Sequence, residues 1–333
     1  MKRGQSGLSL LLAVNKPSGM SSHDVVNACR RIFDERRIGH TGTLDPLATG
    51  LLPLCVGPAT RLDQYLTGHD KRYAVTIGFG FETTTDDCAG KPTVRGEIGS
   101  HIADESYARS FVASLVGEHE QLPPQYSAIK VKGVKAYEAV RKGQSVELSF
   151  RTIRICDANL VGIHEDMDTG ILCWDAEFLV SKGTYIRSLA RDIGRIVGVP
   201  AHVRSLTRLS SGFLSLEDAV SLQTLESLKQ DAAIDPIAAL GLRYAFADDY
   251  ERYVQSGVAL YESQVELFEP PHTQATRGHC ACMSSTVKSE RAPHDGEQAA
   301  IVVANKLKAV YRYERNMRVW KPECVFAIGV RRG

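Results

Sequence analysis

The hydrophobic pattern switches between a period of two residues and a period of about 3.6 residues along the chain. Residues 71–80 place apolar side chains at every second position, which predicts a half-buried strand. Ser21 and Asp24 form a capping box ahead of apolar residues at helical spacing, which predicts an amphipathic helix over about 22–34. The chain therefore combines strands and helices.

Further elements follow from the same two periods, with glycine and proline marking their ends. Strands are predicted at 8–14, 51–56, 149–160, 171–180, 206–209, 299–312 and 324–330, and helices at 61–65, 106–116, 137–141, 186–197 and 215–228. Residues 268–298 are polar, contain proline and histidine and show no period, which predicts a mobile loop or insertion. The simplest account of the C-terminal part is a small β domain from about residue 246 to the end.

Residues 39–50 form a loop rich in glycine that carries one carboxylate, Asp45. Glycines permit backbone angles that other residues avoid, while Pro46 fixes its own φ and favours an extended conformation at Asp45. The apolar run 51–56 follows at once and reads as a buried strand. The pattern predicts a rigid loop that aims Asp45 in one direction. From these residues alone, Asp45 is either a turn cap or a catalytic acid.

The composition is typical of a soluble globular protein. The chain has 333 residues, with 43% hydrophobic and 24% charged residues, and a formal net charge of +1. This length allows two domains, or one large domain with an appendage. Because the net charge is close to zero, any binding to nucleic acid would depend on local basic patches.

The N-terminus has some features of a signal peptide. Basic residues precede the apolar run 8–14, but this run is short and no small-residue cleavage site follows, so it is predicted to be the first strand. No run approaches the ~18 apolar residues of a membrane span. The eight cysteines are scattered and several lie within apolar patterns, which favours buried, reduced thiols in a cytoplasmic protein over a disulfide framework.

Common nucleotide and metal motifs are missing from the sequence. There is no GxxxxGK[ST] loop, no GxGxxG after a strand, no HExxH and no CxxC. His279, Cys280 and Cys282 could hold zinc, but a CxC spacing is not typical of structural zinc sites. The remaining candidates for chemistry lie on the glycine-rich loop, on one strand and at a strand–helix junction: Asp45, Tyr73, Tyr185 and Arg187.

Each of these candidates also has a purely structural interpretation. Tyr73 could be an ordinary core tyrosine of its strand, and Arg187 could be an exposed arginine at the start of a helix. A cation at a helix N-terminus is unfavourable, however, which favours a specific partner for Arg187.

Five motifs, taken together, closely resemble those of the TruB family of tRNA pseudouridine synthases, in the order that the family has them. They are the KPxGxxS segment at 16–22, the GHTGTLDPLATG loop at 39–50, the KxY strand at 71–73, the QLPPQYSAIK segment at 121–130 and the SKGTYIR junction at 181–187. The resemblance covers residues 8 to about 245 and is to the bacterial branch of the family.

The resemblance implies an α+β protein with the pseudouridine-synthase fold. A mixed, largely antiparallel central sheet flanked by helices is expected over residues 8–245, with a thumb-like, RNA-binding insertion at about 118–145. Residues 246–333 are expected to form a small PUA-like β domain, with the mobile insertion at 268–298.

The resemblance also implies the reaction, which is isomerisation of uridine 55 in the T loop of tRNA to pseudouridine. Asp45 would be the nucleophile, Arg187 would keep it ionised, and Tyr73 would stack on the flipped base. Because the reaction rearranges atoms without net oxidation or reduction, no cofactor and no metal are expected.

Further residues would contact the substrate by resemblance. His40 would insert into the T loop, and Lys16 would either hold the pocket in shape or contact phosphate. Tyr185 would pack under the pocket, Leu206 would line it, and Lys130 and Lys132 would contact phosphate. The expected partner is tRNA, held at its T stem-loop and, through the C-terminal domain, at its acceptor stem. The expected protein is a cytoplasmic monomer.

Two alternatives of different classes remain at this point. One is an RNA-binding or tRNA-folding module in which catalysis is not essential, although such a role would not need an aligned nucleophile. The other is a metal-binding regulatory protein built on the Cys/His segment near residue 280.

Overall fold

The computed structural model describes residues 6–126, 130–131, 134–135, 148–271 and 286–333, and of 130–131 and 134–135 only the backbone. Within it the chain divides into two compact units. The first unit joins Met1–His69 to Ser210–Gly333, and the second unit is Asp70–Leu209.

The described residues form strands and helices in the following chain order. The strands are β1 Leu10–Lys16, β2 Ile38–His40, β3 Thr49–Val56, β4 Lys71–Phe79, β5 Phe81–Thr83, β6 Pro92–Arg95, β7 Gly117–Gln121, β8 Lys130–Val131, β9 Val134–Lys135, β10 Arg151–Glu165, β11 Leu172–Val180, β12 Ala201–Ser211, β13 Leu214–Ser215, β14 Tyr244–Phe246, β15 Leu260–Tyr261, β16 Gln298–Val303, β17 Lys306–Glu314 and β18 Val319–Arg331. The α-helices are α1 Ser22–Phe33, α2 Asp63–Leu66, α3 Glu105–Ser114, α4 Ile186–Val197, α5 Leu222–Leu228, α6 Pro236–Leu240 and α7 Glu251–Gln255. Short 3-10 turns lie at Gly57–Leu62, Ser100–Ala103, Leu216–Asp218, Lys229–Ala232, Asp248–Tyr250 and Glu262–Gln264.

In the first unit, β3 is the central strand of the N-terminal segment. Its residues Gly50–Val56 pair antiparallel with β1, and its last three residues also pair antiparallel with β2. The strand β3 is almost entirely buried, as expected for a continuous apolar run. It leaves the glycine-rich loop at Thr49, so the loop is attached directly to the core.

The C-terminal part of the first unit contains a five-stranded sheet in the order β14-β16-β17-β18-β15. Strand β14 is parallel to β16, and the β16-β17-β18-β15 neighbours are antiparallel. Alternate residues of the sheet enter two cores. One core includes Leu11, Leu51 and Phe326, and the other surrounds Trp320.

In the second unit, five strands lie side by side in the order β12-β4-β11-β10-β7. The pairs β4–β11, β11–β10 and β10–β7 are antiparallel. Trp174 on β11 is completely buried and its indole N–H donates to the Ile102 carbonyl at 2.7 Å. This architecture confirms the predicted α+β class, with a largely antiparallel sheet and a separate C-terminal sheet.

Local sequence signals predicted several elements well. Helix α1 begins with the predicted capping box between Ser21 and Asp24, and it ends at Asp34 in the left-handed conformation. Strand β4 shows the predicted alternation of buried and partly buried residues. Helix α4 ends at Gly198, which has a φ of 77° and supplies the left-handed cap.

The predicted helix from residue 215 to about 228 was wrong in its first half. Ser215 and Asp218 do form a capping box, but it starts only a 3-10 turn. Val220 is extended, because its amide donates to the Ala13 carbonyl and its carbonyl accepts from the Asn15 amide. Pairing with β1 therefore interrupts the helix, which begins again at Leu222.

Some predictions fall outside the described residues. They are the helix at 137–141, most of the thumb-like insertion and the His279, Cys280 and Cys282 group. Of the predicted insertion 268–298, the described ends are anchored, since the buried Glu297 accepts from Arg243 at 2.7 and 2.6 Å. The predicted domain boundary near residue 245 stays a prediction.

Candidate active site

The loop that carries Asp45 is held through the backbone carbonyls on both sides of that residue. The Leu44 carbonyl accepts from the Ser22 hydroxyl at 2.9 Å, and the Leu44 amide donates to the same hydroxyl at 2.8 Å. The Pro46 carbonyl accepts from the Gly19 amide at 2.8 Å. These contacts fix the residues on both sides of Asp45, whose own carbonyl accepts from the Ala48 amide at 3.1 Å.

Lys16 is the second anchor of this loop. Its side chain is completely buried, and its ammonium group donates to the carbonyls of Pro17, Met20 and Pro46 at 2.9, 2.6 and 3.3 Å. Three carbonyl oxygens compensate much of the cost of burying this charge. Of the two roles expected for Lys16, this geometry fits the one that holds the pocket in shape.

Two glycines give the loop backbone angles that other residues rarely adopt. Gly42 has a φ of 115° and Gly50 has a φ of 98°, both in the region that L-amino acids avoid. Gly50 faces Lys16 in the β1–β3 register, at the point where the loop becomes a strand. The structure thus gives the high glycine content of 39–50 a specific conformational reason.

His40 lies at the end of β2, opposite Leu54 of β3 in the register. Its side chain is half-buried. The T-loop contact expected for His40 remains a prediction.

In the second unit, Tyr73 and Leu206 are buried residues of β4 and β12. Tyr73 is only 8% exposed and lies opposite Phe178 in the β4–β11 register. A tyrosine of this kind is rigidly placed, as a stacking platform requires, but its burial also agrees with a core role. The predicted stacking role stays a prediction.

Arg187 is not an exposed arginine at a helix start, because its side chain is 5% exposed. One terminal nitrogen, Nη1, donates to the Thr85 carbonyl at 2.9 Å and lies 3.8 Å from the Asp87 carboxylate. The other, Nη2, donates to the Tyr126 carbonyl at 3.0 Å. The guanidinium is therefore held in one orientation, at a helix start where a cation needs such partners.

The carboxylate of Asp87 is itself oriented by its turn. One oxygen, Oδ1, accepts from the Thr85 hydroxyl at 2.5 Å and from the Ala89 amide at 3.0 Å. The other oxygen, Oδ2, is the one that faces Arg187.

Tyr185 is the N-cap residue of α4, and its backbone is fixed by the buried Gln121. The Gln121 side-chain oxygen accepts from the Tyr185 amide at 2.9 Å, and its nitrogen donates to the Tyr185 carbonyl at 3.1 Å. This pair of bonds ties the end of β7 to the start of α4.

The predicted site residues are distributed over both units. Asp45, Lys16 and His40 lie in the first unit. Tyr73, Tyr185, Arg187 and Leu206 lie in the second unit. The side chains of Lys130 and Lys132 lie outside the described residues.

Sequence reasoning missed a group of buried polar residues in the second unit: Asp86, Asp87, Gln121 and Arg191. In sequence, residues 83–96 are simply a polar, acidic stretch. A usable signal was the spacing of Arg187 and Arg191, which puts two arginines on one face of a helix that must also bury leucine and isoleucine. Two buried arginines require buried partners, and the two adjacent aspartates of the loop were available.

No metal site and no membrane span emerge from the described part of the chain. Among those residues no three histidine, cysteine, aspartate or glutamate side chains form a group that could hold a metal ion. None of the helices described is long and apolar enough to cross a membrane. Cys29, Cys55 and Cys173 are buried, unbridged thiols, in line with the pattern of the sequence.

Comparison with solved structures defines the fold. The chain matches one in the structure of an H/ACA RNP bound to a substrate RNA containing 2'-deoxyuridine, with a TM-score of 0.65 and 22% identity over 96% of this chain and 85% of that chain. A chain of a Cbf5-Nop10-Gar1 complex matches with a TM-score of 0.64 and 22% identity, covering 96% of this chain and 85% of that one. At this low identity, the structural match shows a shared fold and nothing more.

Comparison of sequences defines the family. Residues 30–186 match the model of the TruB family pseudouridylate synthase N-terminal domain, and residues 187–240 match the tRNA pseudouridylate synthase B C-terminal domain. The tRNA pseudouridine synthase B of Bacillus cytotoxicus is 40% identical over 227 residues, which are 68% of this chain and 74% of that protein. The protein of the same name from Listeria monocytogenes is 34% identical over 314 residues, covering 94% of this chain and 96% of that protein. The chain belongs to the TruB family of pseudouridylate synthases.

Proposed function

We propose that this enzyme isomerises uridine 55 in the T loop of tRNA to pseudouridine. The observation that carries the proposal is Asp45, the single carboxylate of a loop whose flanking peptides are fixed by Ser22, Gly19 and Lys16. Membership of the TruB family supports the reaction, and the relatives named tRNA pseudouridine synthase B support tRNA as the substrate.

In the proposed reaction, the target uridine is flipped out of its loop and Asp45 supports cleavage of the bond between N1 and C1′. The base then turns, and C5 forms the new bond to C1′. The proton leaves C5, and N1 ends as an N–H group. Atoms and electrons balance within the nucleotide, so the chemistry requires no external oxidant or reductant.

We assign supporting roles to two residues of the second unit. The Arg187 guanidinium, fixed by two carbonyls and by Asp87, provides a positive charge as the partner of the Asp45 carboxylate. Tyr73 provides an aromatic face for the flipped base and assists the late proton removal. Tyr185 and Leu206 line the same pocket.

The remaining proposed contacts are with the rest of the tRNA. His40 inserts into the space that the flipped nucleotide leaves, and Lys130 and Lys132 contact phosphate. The C-terminal five-stranded sheet, as a PUA-like domain, contacts the acceptor stem. We propose that the enzyme acts as a monomer in the cytoplasm.

The test is release of tritium from a tRNA transcript labelled at C5 of uridine. The wild type should release one equivalent, and a transcript with cytidine at position 55 should release none. Asp45→Asn should lose the activity by about a thousandfold or more while it still binds the transcript. The matched control is Asp63→Asn, which changes an exposed acid in the same unit and should keep wild-type release. Normal turnover by Asp45→Asn would overturn the mechanism, and release from the cytidine transcript would overturn the position.

A further inference from the structure

Arg187 and Arg191 lie one helical turn apart on α4, and both are buried. The guanidinium group of each arginine forms hydrogen bonds with the same two segments of the chain, residues 85–87 and residues 122–126. Nη1 of Arg187 donates to the Thr85 carbonyl at 2.9 Å, and Nη1 of Arg191 donates to the Asp86 carboxylate, also at 2.9 Å. Two neighbouring arginines thus fasten one turn, at residues 85–87.

The second half of each guanidinium holds a different segment, residues 122–126. Nη2 of Arg191 donates to the Leu122 carbonyl at 2.9 Å, and Nη2 of Arg187 donates to the Tyr126 carbonyl at 3.0 Å. This segment lies near the start of the thumb-like insertion predicted at about 118–145.

The groups that Arg187 binds are connected through short stretches of backbone to the groups that Arg191 binds. The Thr85 carbonyl bound by Arg187 belongs to the peptide that ends at Asp86, the ion-pair partner of Arg191. Leu122 and Tyr126 are connected through Pro123 and Pro124, whose fixed φ angles make the connection stiff. A shift at an Arg191 contact is therefore passed on to an Arg187 contact.

The turn at residues 85–87 is also held by backbone hydrogen bonds with Val203 of β12. The Asp86 carbonyl accepts from the Val203 amide at 3.0 Å, and the Cys88 amide donates to the Val203 carbonyl at 2.9 Å. Asp86 has a φ of 60°, in the left-handed region. Burial raises the pKa of its carboxyl group, and the charges of Arg191 and Arg187 oppose that rise. A carboxylate buried in this way is kept in place by its arginine partner.

We infer that Arg191, through Asp86 and the Leu122 carbonyl, is a positioning residue that fixes the guanidinium of Arg187 for catalysis. The inference rests on the proposed function, because it assigns Arg191 to the reaction in which Arg187 takes part. Arg191 itself is not a catalytic residue. Lysine cannot replace it, because one ammonium group cannot present a planar fork to a carboxylate and a carbonyl on different segments.

The experiment uses Arg191→Met with Arg195→Met as its matched control. Arg195 lies one turn further along α4 and forms a two-point ion pair with Glu82 at 2.9 and 3.1 Å. It shares the helix and the type of bond, but its carboxylate partner lies outside the 85–87 turn. Misplacing a catalytic group by about 1 Å can cost about 100-fold in rate, so Arg191→Met should slow single-turnover tritium release by about 10- to 100-fold. Its Kd for tRNA should change by less than about threefold, and Arg195→Met should change the rate by less than about twofold.

A double-mutant cycle separates positioning from general loss of structure. If Arg191 acts through Arg187, Arg191→Met should change the rate by less than about twofold in an Arg187→Lys background. Rate losses that multiply would overturn the inference. Should Arg191→Met fold poorly, Asp86→Asn with Arg191→Met removes both buried charges and keeps a residue that tolerates the left-handed turn. That variant should show the same slow rate.

A crystal structure of Arg191→Met tests the geometry without reference to activity. The expected result is that Arg187 loses its bond to the Thr85 carbonyl, to the Tyr126 carbonyl or to both. Retention of both bonds would overturn the inference. If the wild-type enzyme releases no tritium from tRNA, the proposed function is overturned. The crystal structure of Arg191→Met would then be the only test of whether Arg191 positions Arg187.

Discussion

The loop around Asp45 and the start of helix α4 present their charged side chains by different means. Around Asp45, the fixed elements are backbone peptides: glycine conformations and carbonyls bound by Ser22, Gly19 and Lys16. None of these particular bonds involves the Asp45 carboxylate. At α4, by contrast, the charged side chain itself makes the structural bonds, because the guanidinium of Arg187 joins the segments that contain Thr85 and Tyr126.

Substituting Asp45 in the first unit should therefore affect catalysis more than stability. Substituting Arg187 in the second unit should affect both. Replacing the Asp45 carboxylate leaves the bonds of its flanking peptides in place. Replacing the Arg187 guanidinium removes bonds to two buried carbonyls and leaves Asp87 without a facing charge. A fully buried charge that loses its partner is costly, and Asp45, unlike Arg187, is only half-buried.

The largest expected effect is the difference between Arg187→Met and Asp45→Asn in how much each changes the free energy of unfolding. Arg187→Met should lower the free energy of unfolding of the second unit by about 3–5 kcal/mol, the range for breaking a buried ion pair. Asp45→Asn should change the stability of the first unit by less than about 1 kcal/mol.

The two tryptophans allow this comparison to be measured unit by unit. Trp174 lies in the second unit and Trp320 in the first, and both are fully buried. Urea unfolding followed by fluorescence would report the second unit in a Trp320→Phe background and the first unit in a Trp174→Phe background. Equal losses for Arg187→Met and Asp45→Asn would remove the distinction between the two sites.

The second prediction concerns Lys71, a buried cation of the second unit at the start of the strand that carries Tyr73. Burial and the nearby charge of Arg208 lower the pKa of Lys71 to about 8 from an ordinary value of 10.5, while Asp70 opposes the shift. Between these two values the folded protein binds fewer protons than the unfolded chain. Stability from this group is therefore full above pH 10.5 and is lost as the pH falls through about 8.

Lys71→Met should remove this pH dependence. At about 1.36 kcal/mol for each pKa unit, the wild type should gain up to roughly 3 kcal/mol relative to the variant between pH 7 and pH 10. Urea unfolding of both proteins across that range, in the Trp320→Phe background, measures the difference. Parallel stability curves would show that Lys71 keeps its charge in the folded protein and would overturn the prediction.

The same contrast explains what could be predicted from the sequence. The glycine and proline pattern of the loop at 39–50 is local, and so are the capping box of α1 and the glycine that ends α4, so the sequence could predict them. The contacts from Lys16, Gly19 and Ser22 that hold the loop lie outside it and were not predicted. The family motifs identified Arg187, but its partners remained hidden because Thr85 and Tyr126 are 102 and 61 residues away in sequence.

Long-range contacts also account for the errors. The sequence around Ser215 has a valid helix-start signal, yet Val220 pairs with the strand at residues 13–15 and stays extended. Asp86 and Arg191 are 105 residues apart and have no local pattern that joins them. In each case the deciding partner comes from a distant segment, and tertiary contacts override a local preference.

The smallest expected effect tests whether glycine conformation frames the Asp45 loop. Gly50 has a φ of 98°, so Gly50→Ala should cost about 1–2 kcal/mol because an L-residue is strained there. Gly39 begins the same loop without a positive φ, and an added Cβ would meet only a Thr60 methyl group at 3.9 Å. Gly39→Ala should therefore stay within about 0.5 kcal/mol of the wild type. Urea unfolding in the Trp174→Phe background compares the two variants. Both variants remove a glycine from the loop, so they differ chiefly in the backbone angle at the substituted position. A loss of stability confined to Gly50→Ala would show that the backbone angle of Gly50 shapes the loop that carries Asp45. Equal losses of stability would show that side-chain contacts hold the loop, as they hold Arg187.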